Sequence, residues 1–124
     1  MCMVVMGIAH TLQRYQPIWY HSCAIMKSPF PKTTYERNAE IYKILANSKR
    51  LEILNLLKRY GELTVERILK TIKLPKANLS QHLTLLRHAR LVIVRRNGLN
   101  AYYKITEPKI VEPCRILHEL WKDK

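Results

Sequence analysis

The chain has 124 residues and a mass of 14.7 kDa, which suffices for one ordinary domain and excludes a multidomain enzyme. It carries 22 Lys and Arg against nine Asp and Glu, a formal charge of +13, while 48% of its residues are hydrophobic. This composition predicts a folded protein that binds polyanions and excludes a chain that is disordered throughout.

The first 34 residues show no sustained helical or alternating apolar pattern. We expect residues 1–34 to form a tail, flexible or mis-started, with the biological start at or near Met26. The alternative is an arm that contacts a partner subunit or DNA through Trp19 and Tyr20. We expect neither a signal peptide nor a membrane span, because the apolar stretch is interrupted and no basic region precedes it.

Apolar residues recur at helical spacing from Tyr35 onward and predict two helices in succession. Asn47 or Ser48 supplies a cap for the second helix, and Gly61 ends it. The first apolar stripe comprises Ile41, Ile44 and Leu45, and the second comprises Leu51, Leu54 and Leu57.

The next two helices are predicted on either side of a proline. Thr64 is a good N-cap residue for the third helix, and Pro75 interrupts the pattern before a fourth helix over residues 76–89. One side of the fourth helix carries Leu79, Leu83, Leu86 and Arg90. The other side carries Asn78, Gln81, Leu85 and His88.

After Leu91 the apolar period changes from near four to two, which predicts a β-hairpin with Asn97-Gly98 at its tight turn. Pro108 suits the first turn of a last helix. The apolar face of that helix comprises Ile110, Cys114, Leu117 and Trp121. In so short a chain a second copy of the subunit would cover this face, and we interpret Trp121 as dimer packing.

Two short helices joined around Pro75 and followed by a basic hairpin have the order of a winged helix-turn-helix. We therefore predict a mainly α fold with a small β-hairpin (α+β), with about five helices and a two-stranded wing, over residues 35–124. The fourth helix is narrow enough to enter the major groove of duplex DNA, which is roughly 12 Å wide.

The basic residues are unevenly distributed along the chain. Residues 67–106 contain no acid, whereas a surface that is charged only for solubility normally intersperses both signs. Nucleic acid is therefore the leading partner. The bases of this window are Arg67, Lys70, Lys73, Lys76, Arg87, Arg90, Arg95, Arg96 and Lys104.

The predicted DNA contacts fall into two groups. Asn78 and Gln81 carry amides suited to adenine, Ser80 and His82 flank them, and Lys76 adds charge. For His82, an N–H that is satisfied within the fold is an equal alternative. The expected phosphate contacts, which have no matching acids nearby in the sequence, are Arg87, Arg95, Arg96 and Lys104, and Asn97 of the wing is a further DNA-binding candidate.

These segments resemble the ArsR/SmtB family of transcriptional regulators over about residues 36–122. The similarity lies in residues 45–54 (LANSKRLEIL), 61–65 (GELTV) and 79–86 (LSQHLTLL), and then in Leu91-Val92 and Tyr102-Tyr103. The resemblance implies a homodimeric repressor, and we predict that it recognises an imperfect inverted repeat of duplex DNA. The resemblance also implies that the first and last helices pair the subunits, and that DNA affinity falls when an effector binds or a thiol is oxidised.

The metal sites of the family are not reproduced in this sequence. Thr64 and Glu66 replace the Cys-x-Cys pair of members that sense arsenic, cadmium or lead. Lys109 stands where zinc-type members have a histidine ligand, so His118 and Glu119 lack their expected partners. We expect no metal and no cofactor. Leu99 occupies a wing position where the family commonly has Arg.

The three cysteines are scattered and include no Cys-x-x-Cys pair, which favours a reducing cytoplasm over a disulfide framework. Cys114 lies on the apolar face of the last helix. A buried, inert thiol is the default interpretation. A redox or persulfide switch, and a pair of Cys114 residues across the dimer axis, are the alternatives.

An enzyme is not expected, because the sequence contains no nucleophile–base pair and has only three glycines from which to build a phosphate loop. Two other functions compete with DNA binding. One is a winged-helix module that binds another protein, and the other is RNA binding, for which stacked aromatic residues on a sheet would be expected.

Overall fold

The computed structural model describes residues 26–123, and in this part of the chain it confirms the predicted winged helix-turn-helix with five helices and a two-stranded wing. The elements are α1 (Lys32–Leu45), α2 (Ser48–Tyr60), α3 (Val65–Thr71), α4 (Lys76–His88), β1 (Val92–Asn97), β2 (Asn100–Ile105), a 3-10 turn (Pro108–Val111) and α5 (Glu112–Trp121). The predicted anchors Trp19 and Tyr20 lie outside the described residues.

Residues 26–35 precede and begin the first helix. The Ser28 hydroxyl donates a hydrogen bond of 2.7 Å to the Tyr35 hydroxyl, and the rings of Phe30 and Tyr35 meet edge to face at 6.1 Å between centroids. The helix α1 begins at Lys32, three residues before the helical spacing of apolar residues begins at Tyr35. Its first turn carries only polar residues, which leave no periodic signal in the sequence.

The predicted caps of α2 and α3 are confirmed. The Asn47 side-chain oxygen accepts hydrogen bonds from the backbone N–H groups of Lys49 and Arg50 at 3.0 and 3.1 Å. Gly61 ends α2 with a φ of 79°, a left-handed conformation that glycine adopts without steric cost. The Thr64 hydroxyl accepts from the N–H of Arg67 and caps α3.

The core of the domain lies between α2, α3, α4 and the hairpin. Leucines and isoleucines at helical spacing fill it, because each helix turns one apolar stripe inward. Residues buried to 2% exposure or less are Ile53, Leu54, Leu57, Ile68, Ile72, Leu79, Leu83, Leu86, Val92 and Val111. Burial of such a side chain contributes roughly 1.5–3 kcal/mol.

The end of α4 corrects one prediction. Arg90 does not continue the leucine stripe, because α4 ends at His88 and Arg90 has a φ of 62°. The N–H of Arg90 donates to the carbonyl of Arg87 and the N–H of Leu91 donates to that of Leu86, which is the Schellman arrangement. Leu86 and Leu91 are both buried, so their contact fixes the turn at Arg90.

The wing is an antiparallel hairpin whose register runs from Val92 opposite Ile105 to Asn97 opposite Asn100. Its two turn residues are Gly98 and Leu99, one position later than predicted, since Asn97 is still paired. Of these two turn residues only Gly98 has a positive φ, 63°, as a type II′ turn requires at its first central position.

A short backbone connection joins the wing to the loop before α3. Leu63 and Tyr103 form an isolated antiparallel bridge, with N–H to carbonyl distances of 3.0 Å and 2.8 Å in the two directions. This bridge fixes where the wing leaves the helix-turn-helix.

The last helix begins later than predicted, because residues 108–111 form a 3-10 turn. In a continuous α-helix the carbonyl of Lys109 would need the N–H of residue 113, and Pro113 has none. The N–H of Glu112 bonds that carbonyl instead, and α5 starts at Glu112.

Candidate nucleic-acid interface

The helix α4 presents a polar surface opposite its leucine stripe. Leu79, Leu83 and Leu86 are at most 1% exposed, so the angular position of the helix is fixed by the core. With 13 residues the helix is about 20 Å long. Its exposed polar residues near the N-terminus are Lys76, Asn78, Ser80 and Gln81, and we call this set the recognition face.

His82 lies at the border of the recognition face and is half-buried. Burial, followed by the positive charge of Arg50, lowers the pKa of His82 below its ordinary value. The imidazole is therefore neutral at pH 7, with one nitrogen able to donate and one able to accept a hydrogen bond. The environment of His82 agrees with both predicted roles, a DNA contact and a side chain satisfied within the fold.

Three of the four predicted phosphate contacts are exposed cations. Arg87 lies in the last turn of α4, Arg96 near the wing turn and Lys104 on β2. Within residues 26–123 none of the three forms an ion pair with an acid. Their charges are available to an anionic partner. Asn97 is also exposed, at the end of β1.

Arg95 corrects the expectation that these bases have no acid nearby. Its guanidinium nitrogen Nη2 lies 2.7 Å from Oε2 of Glu62, and Nε lies 3.1 Å from Oε1. The hydrogen bond from Arg95 holds the pKa of Glu62 below its ordinary value, and the same bond raises the pKa of Arg95. Sequence reasoning missed Glu62 because it precedes Arg95 by 33 residues and reaches it only through the Leu63–Tyr103 bridge.

The two tyrosines of β2 have different environments, as their alternation predicts. Tyr103 packs against the core. Tyr102 is half-buried, and the guanidinium carbon of Arg95 lies 4.8 Å from the centroid of its ring, within the range of a cation–π interaction.

Ion pairs concentrate on a different part of the domain. Pairs of 2.7 to 3.3 Å are Lys43–Glu40, Lys49–Glu52, Lys58–Glu112 and Lys122–Glu119, and Arg115 also bonds Glu112. These residues belong to α1, α2 and α5 or follow α5 directly. The bases of α3, α4 and the wing, Arg95 apart, have no such partner within residues 26–123. The charge of the domain is therefore uncompensated around α4.

The helix α5 leaves most of its apolar side uncovered. Ile110 and Cys114 pack half-buried against the core, so the thiol is less enclosed than expected. The remaining apolar side chains are 47% to 61% exposed, and we call them the open face of α5: Ile116, Leu117, Leu120 and Trp121. A cavity of about 150 Å³, lined by Asn38, Ile41, Tyr42 and Ile110, lies between α1 and the 3-10 turn.

Residues 26–123 contain no cluster of three or more His, Cys, Asp or Glu side chains that could hold a metal ion. Thr64, at a position where metal-sensing members of the ArsR/SmtB family carry cysteine, caps α3 instead. Over the same residues no helix is both long enough and apolar enough to cross a membrane.

Comparison with known proteins agrees with this geometry. Residues 47–94 match the family model described as bacterial regulatory protein, arsR family. An HTH-type transcriptional regulator of Methanocaldococcus jannaschii is 35% identical over 86 residues, which cover 69% of this chain and 97% of the relative. The transcriptional repressor PagR of Bacillus anthracis is 35% identical over 85 residues, 68% of this chain and 85% of PagR.

Solved structures show the same fold. The crystal structure of PagR matches with a TM-score of 0.62 and 34% identity over 70% of this chain and 99% of PagR. A homodimeric winged helix-turn-helix DNA-binding domain from Mycobacterium bovis matches with a TM-score of 0.59 and 31% identity, covering 81% of this chain and 91% of that domain. The family model describes a bacterial regulatory protein and the relatives' names describe transcriptional regulators; none of these descriptions is of an enzyme. The chain belongs to the ArsR family of winged helix-turn-helix transcriptional regulators.

Proposed function

We propose that the protein is a homodimeric repressor that binds an inverted-repeat operator of duplex DNA in the cytoplasm and is released by an effector or by thiol modification. The observation that carries the DNA-binding part is the recognition face of α4. Its polar side chains are exposed, while the stripe of Leu79, Leu83 and Leu86 on the opposite side of α4 is buried, so the helix can enter a groove and keep its core packing.

Within this proposal the recognition face reads base edges. The amides of Asn78 and Gln81 match the donor and acceptor of adenine in the major groove, Ser80 accepts or donates, and Lys76 suits guanine or a phosphate. His82 contributes at the margin through its neutral imidazole. The name of PagR describes a repressor, which supports repression by this chain as well.

The unpaired cations supply affinity without sequence information. Arg87, Arg96 and Lys104 are exposed around α4 and would neutralise phosphates, with Asn97 adding a polar contact from the wing. Arg95 does not belong to this group in the free protein, since Glu62 binds it.

The dimer would form through α1 and α5. The open face of α5 offers four large apolar side chains, and Tyr42 on α1 is 64% exposed, so both elements present area that a second copy could cover. The homodimeric domain from Mycobacterium bovis shares this fold, which supports the same assembly here. Two recognition faces would then reach half-sites about one helical turn, or a small multiple, apart.

Thiol modification would act at Cys114. It is half-buried beside the open face of α5, where an oxidised or persulfidated sulfur would disturb the dimer packing. The proposal predicts that oxidant lowers DNA affinity in the native chain and has no effect in Cys114→Ala. An equal loss in both proteins would exclude Cys114 as the switch.

The experiment that tests the function is a gel-shift titration with duplex DNA, structured RNA and single-stranded DNA at one salt concentration. We expect the duplex to bind most tightly, because only a duplex major groove accommodates α4. Preference for RNA or for single strands would refute the proposal. Docking of another protein on α4 is disfavoured, since Leu85, at 40%, is its one large apolar side chain that is exposed.

A further inference from the structure

Glu62, Arg95 and Tyr102 form a cluster at the base of the wing. Glu62 accepts hydrogen bonds from two nitrogens of Arg95, Nε at 3.1 and 3.3 Å and Nη2 at 2.7 Å, and Arg95 lies over the ring of Tyr102 on the paired strand. Such two-point binding fixes the plane of a guanidinium as well as its position. We call the three side chains the wing clamp.

The wing clamp reinforces a backbone connection at the same place. Glu62 directly precedes Leu63, whose backbone pairs with Tyr103, and Tyr103 directly follows Tyr102. The loop before α3 is thus tied to both wing strands, by its backbone to β2 and by the Glu62 carboxylate to β1. Beyond these ties the hairpin continues only through two paired positions, Arg96–Ala101 and Asn97–Asn100, and the turn, so the ties determine where the wing turn points.

The wing clamp also removes one charge from the basic surface. The Glu62 carboxylate is ionised at neutral pH, as an ordinary glutamate is, and the hydrogen bond from Arg95 lowers its pKa further. It therefore cancels the Arg95 charge, while Arg96 next to it remains unpaired within the described residues. Arg96 should therefore attract an anion more strongly than Arg95 does.

We propose that Glu62 is a positioning residue for DNA recognition: it holds Arg95 away from the phosphates and keeps the wing in the orientation that a specific operator requires. The proposal rests on the DNA binding proposed above. It predicts that loss of the carboxylate improves binding to DNA of any sequence and reduces the preference for the operator.

The test compares Glu62→Gln with Glu66→Gln. Both variants remove one negative charge from nearby positions, but Glu66 is exposed in the first turn of α3 and has no hydrogen bond or ion pair within residues 26–123. Binding to operator and to random duplex is measured at several salt concentrations. In Glu62→Gln we expect random-duplex affinity to rise about threefold per subunit, and the slope of log K against log salt to steepen by about 0.9 per released arginine.

The control Glu66→Gln should change operator and random affinity by the same factor and leave the slope unchanged. A double-mutant cycle isolates the contact: in an Arg95→Gln background, Glu62→Gln should steepen the slope much less than in the native chain, because only the weaker attraction between Glu62 and Lys104 is then lost. Faster hydrogen exchange at the Tyr103 amide in Glu62→Gln would report the loosened base of the wing independently of DNA. If Glu62→Gln does not fold, Glu62→Asp replaces it in the test. This variant keeps the negative charge but its side chain is one methylene shorter, so it should lose part of the preference for the operator.

The outcomes are separable from those of the proposed function. If the native chain shows no preference for any duplex, the DNA-binding proposal fails and the role of Glu62 fails with it. If the native chain prefers its operator but Glu62→Gln behaves like Glu66→Gln, or if the effect of Glu62→Gln is as large with Arg95→Gln as in the native chain, only the positioning role is overturned.

Discussion

The helices α4 and α5 are both amphipathic, but they use their apolar sides in opposite ways. Leu79, Leu83 and Leu86 of α4 are at most 1% exposed and belong to the core of the domain, whereas the open face of α5 is about half exposed. The apolar stripe of α4 is buried within one subunit, and its polar side chains face outward. Helix α5 has surplus apolar surface, which a single copy of residues 26–123 does not cover.

The charges follow the same division. Ion pairs join residues of α1, α2 and α5, while the bases of α4 and the wing lack acidic partners among the described residues, except for Arg95. An exposed, uncompensated charge favours a polyanion, and an exposed apolar face favours another apolar face. We therefore propose DNA as the partner of α4 and a second subunit as the partner of α5, and the following predictions test each proposal.

The largest expected effect is the dependence of DNA affinity on salt. If the dimer contacts about six to ten phosphates, affinity should fall on the order of 10³ to 10⁵ fold between 50 and 200 mM salt, because each contact releases condensed counterions. Fluorescence anisotropy with labelled duplex measures it. A loss of less than about tenfold would show that the unpaired cations do not contact phosphates.

The second prediction concerns the open face of α5. Leu117→Glu should convert the dimer to a monomer and lower operator affinity by about 10² to 10⁴ fold, since each half-site then binds alone. Sedimentation equilibrium gives the mass. Leu85→Glu, which places the same charge on α4, is the matched control and should leave the dimer intact. If the Leu117→Glu variant is still a dimer, the interface does not lie on the open face of α5.

The third prediction separates recognition of bases by Gln81 from binding of phosphates by Arg96. Gln81→Ala should cost about 1–3 kcal/mol of discrimination at one base position of each half-site, because a bidentate amide contact is lost. Arg96→Ala should weaken operator and random duplex equally. Competition titrations with single-base operator variants measure both. Equal losses on operator and random DNA for Gln81→Ala would exclude the base contact.

The fourth prediction concerns the end of α4. Arg90→Gly should raise the free energy of unfolding by about 1 kcal/mol, because a residue with a side chain is strained at a φ of 62° and glycine is not. Urea unfolding at constant m-value measures the change. Destabilisation would mean that the Arg90 side chain contributes more than its backbone strain costs.

The smallest expected effect is a pH dependence from His82. Burial and Arg50 lower its pKa in the folded state, so below about pH 6.5 the unfolded chain takes up the proton first. The contribution of His82 to stability should therefore fall as the pH decreases from 6.5 through the lower folded-state pKa. Relative to His82→Gln, the native chain should lose stability between pH 7.5 and 5.5. A constant difference would contradict the assignment.

Local sequence signals predicted much of this fold. The spacing of Leu79, Leu83 and Leu86 gave the orientation of α4, and Asn47, Gly61 and Thr64 marked helix ends, because capping depends on neighbours within a few residues. Arg90 could not be predicted in a left-handed turn, since arginine has no preference for it. That conformation is imposed by the burial of Leu86 and Leu91.

The candidate site was predictable where exposure depends on the local sequence, as for α4 and for Arg96 and Lys104 of the wing. The residues of the recognition face follow from the period of α4. The wing clamp does not, because Glu62 and Arg95 meet only after the hairpin pairs with Leu63. A stretch of sequence without acids is therefore not a surface without acids, and the number of bases between residues 67 and 106 overestimates the free charge by one.

The most direct test of the central claim is to sequence the duplex fragments that the purified protein retains from a random pool. We predict an enriched motif with two inverted half-sites whose centres lie about one helical turn, or a small multiple, apart, and a relaxed base preference within each half-site for Gln81→Ala. Enrichment of a single unrepeated site, or of no motif at all, would contradict recognition by two copies of α4.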